Sequence, residues 1–325
     1  MDGVEISIIL FLVVVSIVVV VVVFKKSLIS EEFGDFTMEK KLKTLDEMIL
    51  NEPSTRVAIV SMMRDQKDVD KWLNYHMIKG VHRFYLRVET LDAEHDPIVK
   101  KVRSYPQVVL KIGDPNKTPT SSEGDLPGQR QMLRQREWLT EAIQLALDGG
   151  IDWLVHIDSD ELLDCEGLVG DAISEDAKPD TQTMVIRNFE ALYGREKING
   201  EKSCFTYEAI EDCEKGSCSS YANGKSVGRV SPHLREGGVH RFRYENGNES
   251  RDNVVYMSSL RIVHFESCDF RQYMDKFLKL ASSEKLSFPF PYYNESIKVA
   301  KACNEKTKDS CRGDFEKIYT KYRVV

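Results

Sequence analysis

Trp153–Leu163 reads WLVHIDSDELL. A short apolar run enters an acidic turn with no Gly or Pro between them. Trp153 to Ile157 predicts a buried strand, and Asp158, Asp160 and Glu161 follow at its carboxyl end. Residues i and i+2 of extended backbone point the same way, so Asp158 and Asp160 converge. Upstream, Arg56–Met63 (RVAIVSMM) predicts a first strand, His82–Val88 (HRFYLRV) a second and Val108–Ile112 a third. Val69, Trp72, Leu73 and His76 recur at helical spacing, with N-caps offered by Asp65 and Asp68 and a stop at Gly80. A weak helix is expected over 94–104. A stronger one carries Leu139, Ala142, Ile143 and Ala146 and ends at Gly149-Gly150. Strands alternating with helices predict an α/β fold on a parallel sheet. Ligands of such sheets bind outside the carboxyl ends of the strands, where this acidic turn lies.

After residue 180 the pattern changes. Thr183–Asn188 predicts a strand, and short strands are expected near 225–230, 239–244 and 254–263. From 269 the pattern is helical, with Phe270, Tyr273, Met274 and Phe277 in step. The segment 114–128 is rich in Pro, Gly, Ser and Thr and reads as a long exposed loop. One continuous domain over 54–325 is expected, with a nucleotide-binding half at 54–180 and a mixed, acceptor-binding half at 181–325.

Two carboxylates held together repel unless a positive charge lies between them. Mg²⁺ or Mn²⁺ suits that place, because hard cations choose carboxylate oxygens. The alternative is a solvated acidic turn. A divalent ion there would stabilise charge developing on a diphosphate as a sugar–phosphate bond breaks. A phosphatase of the D-x-D-x-T kind is excluded, since the Thr is missing and the motif follows the fourth strand. A nucleotidyltransferase on a similar sheet would carry a Gly-rich basic loop after its first strand, and SMMRDQKD is not one.

Ile6–Phe24 is an apolar run interrupted only by Ser7 and Ser16. At about 1.5 Å per residue it spans roughly 28 Å, close to a bilayer core. Asp2 and Glu5 precede it and no A-x-A pattern follows, so an uncleaved anchor is expected over 6–24, after a short tail over 1–5. A charged stem occupies 25–53. Lys25 and Lys26 favour a cytoplasmic bulk. Sequons at Asn116, Asn248 and Asn294 favour a lumenal, glycosylated one. Seven cysteines crowd toward the second half, where Cys204, Cys213 and Cys218 cluster and Cys303 and Cys311 form a close pair. In a lumenal domain, local disulfides are expected. Cys213 and Cys218 with His233 and His240 have the wrong gaps for a zinc finger. A net charge of -7 gives no footprint for nucleic acid.

The segment VAIVSMMRDQKDVDKWLNYHMIKGVHRFYL resembles the opening of GT-A glycosyltransferases of the family 2 and family 92 type. Trp72, Tyr75, His76, Gly80, Val81, Phe84 and Tyr85 fit its W-x-x-Y-H helix and G-V-x-x-F-Y strand. WLVHIDSDELL is similar to its W-x-x-x-I-D-x-D-E-F block, and GKSVGRV, GVHRF and IVHFESCDFRQYMDKF to later blocks. The likeness runs in order over roughly 56–280. Arg64-Asp65 departs from the usual Asn-Glu, RVETLDAEHD lacks the usual Asn-x-Ser-x-Asp turn, and Leu162 replaces a commoner Phe.

The resemblance implies a GT-A (nucleotide-diphospho-sugar transferase, Rossmann-like) mixed sheet flanked by helices, preceded by one transmembrane helix. It implies a metal-dependent, inverting glycosyltransferase (a hexosyltransferase-type enzyme) acting from a nucleotide-sugar donor on a glycan or glycoconjugate hydroxyl. Asp158 and Asp160 would handle the metal and the diphosphate, with a late histidine, His264, as a further ligand and His240 as a weaker candidate. Arg64 and Asp65 would meet the nucleotide; Lys225 and Arg229 would neutralise phosphate. Glu190 is the first choice for general base, with Glu161 and Asp212 as alternatives. His76, on an apolar helix face, is expected to be structural. Anchored transferases of this kind are type II and face the Golgi lumen, which tips the orientation that way. The runner-up is an inactive anchored glycan- or nucleotide-binding protein on the same fold.

Overall fold

The computed structural model describes residues 55–117, 127–199, 203–213, 220–245, 255–282, 288, 290–303 and 308–325. The expected anchor (6–24), the whole stem (25–53) and the sequon at Asn248 lie outside them. No helix among the described residues is long and apolar enough to cross a membrane.

β1 (Val57–Met63) is buried at every position. Its alternation serves two cores: Val57, Ile59 and Met63 face one, Ala58 and Val60 the other. β2 (Val81–Glu89) and β3 (Val108–Gly113) extend the sheet on one side of β1, and β4 (Trp153–His156) on the other, all parallel. The parallel order then ends. Only residues 157–160 separate β4 from β5 (Glu161–Cys165), too few for a parallel crossover. β5 instead lies antiparallel on β11 (Val255–His264) at the sheet edge. β6 (Thr183–Leu192) runs parallel to β11, and β7 (Ala209–Asp212) lies antiparallel on β6. β8 (Lys225–Arg229) is inserted antiparallel between β4 and β6. The result is a mixed nine-stranded, Rossmann-like sheet flanked by helices, with a separate hairpin of β9 (Leu234–Glu236) and β10 (Phe242–Tyr244).

Six helices share the larger core: α1 (Val69–Ile78), α2 (Pro97–Val102), α4 (Val169–Asp176), α6 (Phe270–Ala281), α7 (Pro291–Ala302) and α8 (Lys308–Arg323). α3 (Pro127–Asp148) covers the opposite face with the β9–β10 hairpin. α5 (Glu196–Asn199) is a single turn. Asp96 caps α2, accepting from Ile98 N and Val99 N, and Asp269 caps α6 in the same way. The expected caps of α1 differ. Asp68 holds the N-cap position, but its carboxylate accepts from Cys204 N (2.8 Å) and the Ser203 hydroxyl (3.1 Å). Asp65 stands before the helix at φ 57. Gly80 stops α1 at φ +80, a left-handed turn that also brings its Cα close to Leu168.

Cys303 and Cys311 pair locally, as expected. Cys204 does not pair within its cluster but reaches Cys268, 64 residues away. Cys213 is disulfide-bonded too, which removes it from any zinc set, and Cys165 is a buried thiol.

Candidate functional site

The W-x-x-Y-H helix acts on the acidic turn from behind. Trp72 Nε1 donates to Glu161 O (2.8 Å), and Tyr75 OH to Leu163 O (3.2 Å). Leu163 N donates to His76 Nε2 (3.2 Å), so the ring proton sits on Nδ1 and is given to Trp72 O (2.9 Å). Burial pushes the His76 imidazole down to about 3, which keeps it neutral. Three polar side chains on one helix face thus pin β5 immediately after the D-x-D turn.

The carboxyl ends of β1, β2, β4 and β11 open on one cavity of about 410 Å³. Arg64, Glu89, Asp158, Asp160, His264 and Glu266 line it from those ends, and Gln131, Arg134 and Gln135 from α3. His240, Tyr221, Lys276 and Tyr293 complete the wall. Carboxylate or imidazole atoms of Asp160, His264 and Glu266 lie within 4.8 Å of one another, a candidate divalent-metal group. Two carboxylates and an imidazole are a fitting donor set for such an ion.

His264 is oriented from behind. Its Nδ1 donates to Glu190 Oε1 (2.9 Å), turning Nε2 toward Asp160 (3.5 Å) and Glu266 (4.0 Å). Burial opposes charge on this imidazole, but Glu190 and Asp160 outweigh it and raise His264 well above its ordinary value. Glu266 accepts from Lys276 (2.7 and 2.9 Å) and from Tyr293 OH (2.9 Å). Burial would raise the Glu266 carboxyl; Lys276 holds it well below the usual range.

Asp158 faces the cavity but is not in the metal group. Its carboxylate accepts from Lys225 Nζ (2.5 Å) and Gln135 Nε2 (3.1 Å). Burial would raise it, and Lys225 pulls it far below the usual carboxylate range. Asp160 thus groups with His264 and Glu266, while Asp158, expected to share the ion, stands beside that candidate group. β8 meets this edge with its first residue, so Lys225 reaches the acids and Arg229, four residues on, cannot. Arg229 lies at the opposite edge, stacked on Trp153 (4.5 Å) and bonded to the carbonyls of Thr181 and Lys178.

The expected bases lie outside the cavity. Glu190 is fully buried behind His264, held by that imidazole and by Arg323 (2.8 Å). Burial would raise its carboxyl, but these two partners hold it at about 2. Glu161 is buried beneath the turn, accepting from Asp158 N (2.7 Å) and from Tyr221 OH. Burial lifts it to about 7 against the pull of Lys225. Asp212 lines a separate cavity of about 300 Å³ with Arg187, Asn188 and Tyr256. Asp65 points to solvent beside Arg64 (3.7 Å).

Glu266 escaped the sequence reading, although His264 and Glu266 repeat the i, i+2 spacing used for Asp158 and Asp160. Glu89, Arg134, Gln135, Lys276 and Tyr221 had no local signal; they reach the cavity from β2, α3, α6 and a loop. Glu89 accepts from Arg134 (2.8 Å) and Arg87 (3.1 Å), leaving this buried wall with one surplus positive charge.

No family model matches the chain. Two Arabidopsis thaliana proteins, both named glycosyltransferase-like, are each 25% identical to it over 226 residues. The alignments cover 60% of this chain and 49% and 43% of theirs, so the chain spans less than half the length of these curated relatives. Among solved structures, the crystal structure of HddC from Yersinia pseudotuberculosis matches 67% of this chain and 96% of that one, at 12% identity and a TM-score of 0.32. At that level the likeness bears on neither fold nor function. The mixed sheet, the acidic group at its carboxyl edge and the sequence likeness support a glycosyltransferase- or nucleotide-sugar-related fold family, without selecting a subtype within it.

Proposed function

We propose that this protein is a metal-dependent, inverting glycosyltransferase of the family 2 or family 92 type. It would move a sugar from a nucleotide-sugar to a hydroxyl of a glycan or glycoconjugate. The observation that carries this reading is the Asp160–His264–Glu266 group at the carboxyl edge of the sheet, facing a cavity that also offers Arg64, Arg134 and Lys276. An imidazole in the donor set favours Mn²⁺ over Mg²⁺. A cation held there would act as a Lewis acid on the donor diphosphate. Glu190 holds His264 through Nδ1, which would leave Nε2 to ligate a cation. Lys225 and Gln135 hold Asp158 in the wall, against the donor. Arg64 stands at the end of β1, where the nucleotide is expected, with Asp65 beside it.

We also propose a type II protein anchored by 6–24 with a lumenal domain. The sequons and the disulfides Cys204–Cys268 and Cys303–Cys311 support an oxidising compartment. A second reading, the inactive binding protein, is favoured by one observation: Asp158 and Glu266 are already neutralised by lysines.

The full chain in detergent, offered a panel of nucleotide-sugars, separates the two. Transferase activity predicts that one donor is turned over with Mn²⁺. EDTA should abolish that turnover, and Asp160→Ala should lower it by about 10²-fold or more. A folded protein that binds neither Mn²⁺ nor any donor would overturn this function.

A further inference from the structure

We propose that His240 is the general base of the transfer, accepting the acceptor hydroxyl's proton on Nε2; this rests on the inverting-transferase reading above. His240 lines the same cavity as Asp160 and His264. Its Nδ1 lies 3.1 Å from Gly224 O. A carbonyl oxygen only accepts, so Nδ1 carries the proton and Nε2 keeps its lone pair. Nε2 has no hydrogen-bond partner among the described residues, while the Tyr221 ring packs beside the imidazole at 5.3 Å and holds its plane.

Among the described residues, the other carboxylate and imidazole acceptors of the cavity are engaged. Asp158 is bonded to Lys225 and Gln135, Glu89 to Arg87 and Arg134, and Glu266 to Lys276 and Tyr293. Asp160 and His264 belong to the candidate metal group. His240 is left as the cavity-lining base with an uncommitted lone pair. Burial, and after it the neighbouring charges, keep that lone pair unprotonated. Burial, then Lys225, lower the imidazole to about 4; Asp158 pulls the other way and Arg241 adds to the lowering. His156, buried next to them, is neutral as well.

The step balances without another reactant. The acceptor oxygen forms its bond to the anomeric carbon while the bond from that carbon to the donor diphosphate oxygen breaks. The electron pair of that bond leaves with the nucleoside diphosphate, and the acceptor proton ends on His240 Nε2.

The test uses the full chain with the donor identified in the panel. In His240→Ala, glycosyl transfer should fall by about 10²- to 10⁴-fold. Mn²⁺ affinity and donor Kd should stay at the wild-type values, and added imidazole should restore part of the turnover. His240→Asn keeps a donor for Gly224 O and so preserves the loop where Ala does not fold; it should be equally inactive. Wild-type transfer in either folded variant would overturn the proposal. Lost Mn²⁺ affinity would overturn it too, by making His240 a metal ligand. A wild-type chain that binds no nucleotide-sugar would sink the transferase reading first, and that is read without any variant.

Discussion

Both oxygens of Glu190 face cationic groups, Oε1 the His264 imidazole and Oε2 the Arg323 guanidinium. A carboxylate so placed orients a neighbour and has no reach to substrate. Glu190→Gln is therefore expected to weaken Mn²⁺ binding by about 10- to 100-fold, measured by titration calorimetry, because the amide no longer enforces the Nδ1 proton. Unchanged affinity would show that His264 needs no such support. Glu190→Ala should also lower stability, by about 3–5 kcal/mol in a melting experiment, since Arg323 stays buried without its partner. The residue type at 190 is legible in the sequence. Its role is not, because Glu190 meets His264 only through the register of β6 on β11.

At the scale of elements, the turn between β4 and β5 carries Asp158 and Asp160, and the segment between β11 and α6 carries Glu266. α1 braces β5 through Trp72, Tyr75 and His76. Cys204–Cys268 braces the turn after Glu266, closing a 64-residue separation. Loop-closure entropy for that length is worth at most about 4 kcal/mol. Cys204→Ser should lower the melting temperature correspondingly and weaken Mn²⁺ binding, and reductant should do the same to the wild type. A variant as stable and as metal-competent as the wild type would mean that α6 is seated without the bridge. The strands and helices before residue 160 are legible from periodicity, because β1–β4 and their helices form a regular alternating run. β5, β7, β9 and α4 are not: they are short, and tertiary pairing rather than a local pattern makes them.

For the whole molecule, buried neutral histidines set a direction for acid stability. His76 and His156 are each lowered to about 3 by burial, while the unfolded chain protonates them near 6.5. The unfolded state therefore binds more protons below pH 6.5, and stability falls as pH drops toward 3. Each pH unit in that window costs about 1.4 kcal/mol per histidine. Melting temperature should decline steadily below pH 6.5 and less steeply in His76→Gln, whose side-chain oxygen can still accept from Leu163 N. A profile identical to the wild type in that variant would place the acid sensitivity elsewhere.

The sequence by itself determined the alternating α/β run and the acidic turn at the end of its fourth strand. Those are local matters of period. Only the tertiary structure decided which acids share a site. β8 brings Lys225 to Asp158, the end of β11 and the residues just after it supply His264 and Glu266 to the candidate metal group, and α8 supplies the Arg323 that pairs with Glu190. Charges pair with whatever strand register and helix packing place beside them, across separations as long as 202 residues for Lys67 and Asp269, and no local pattern encodes that.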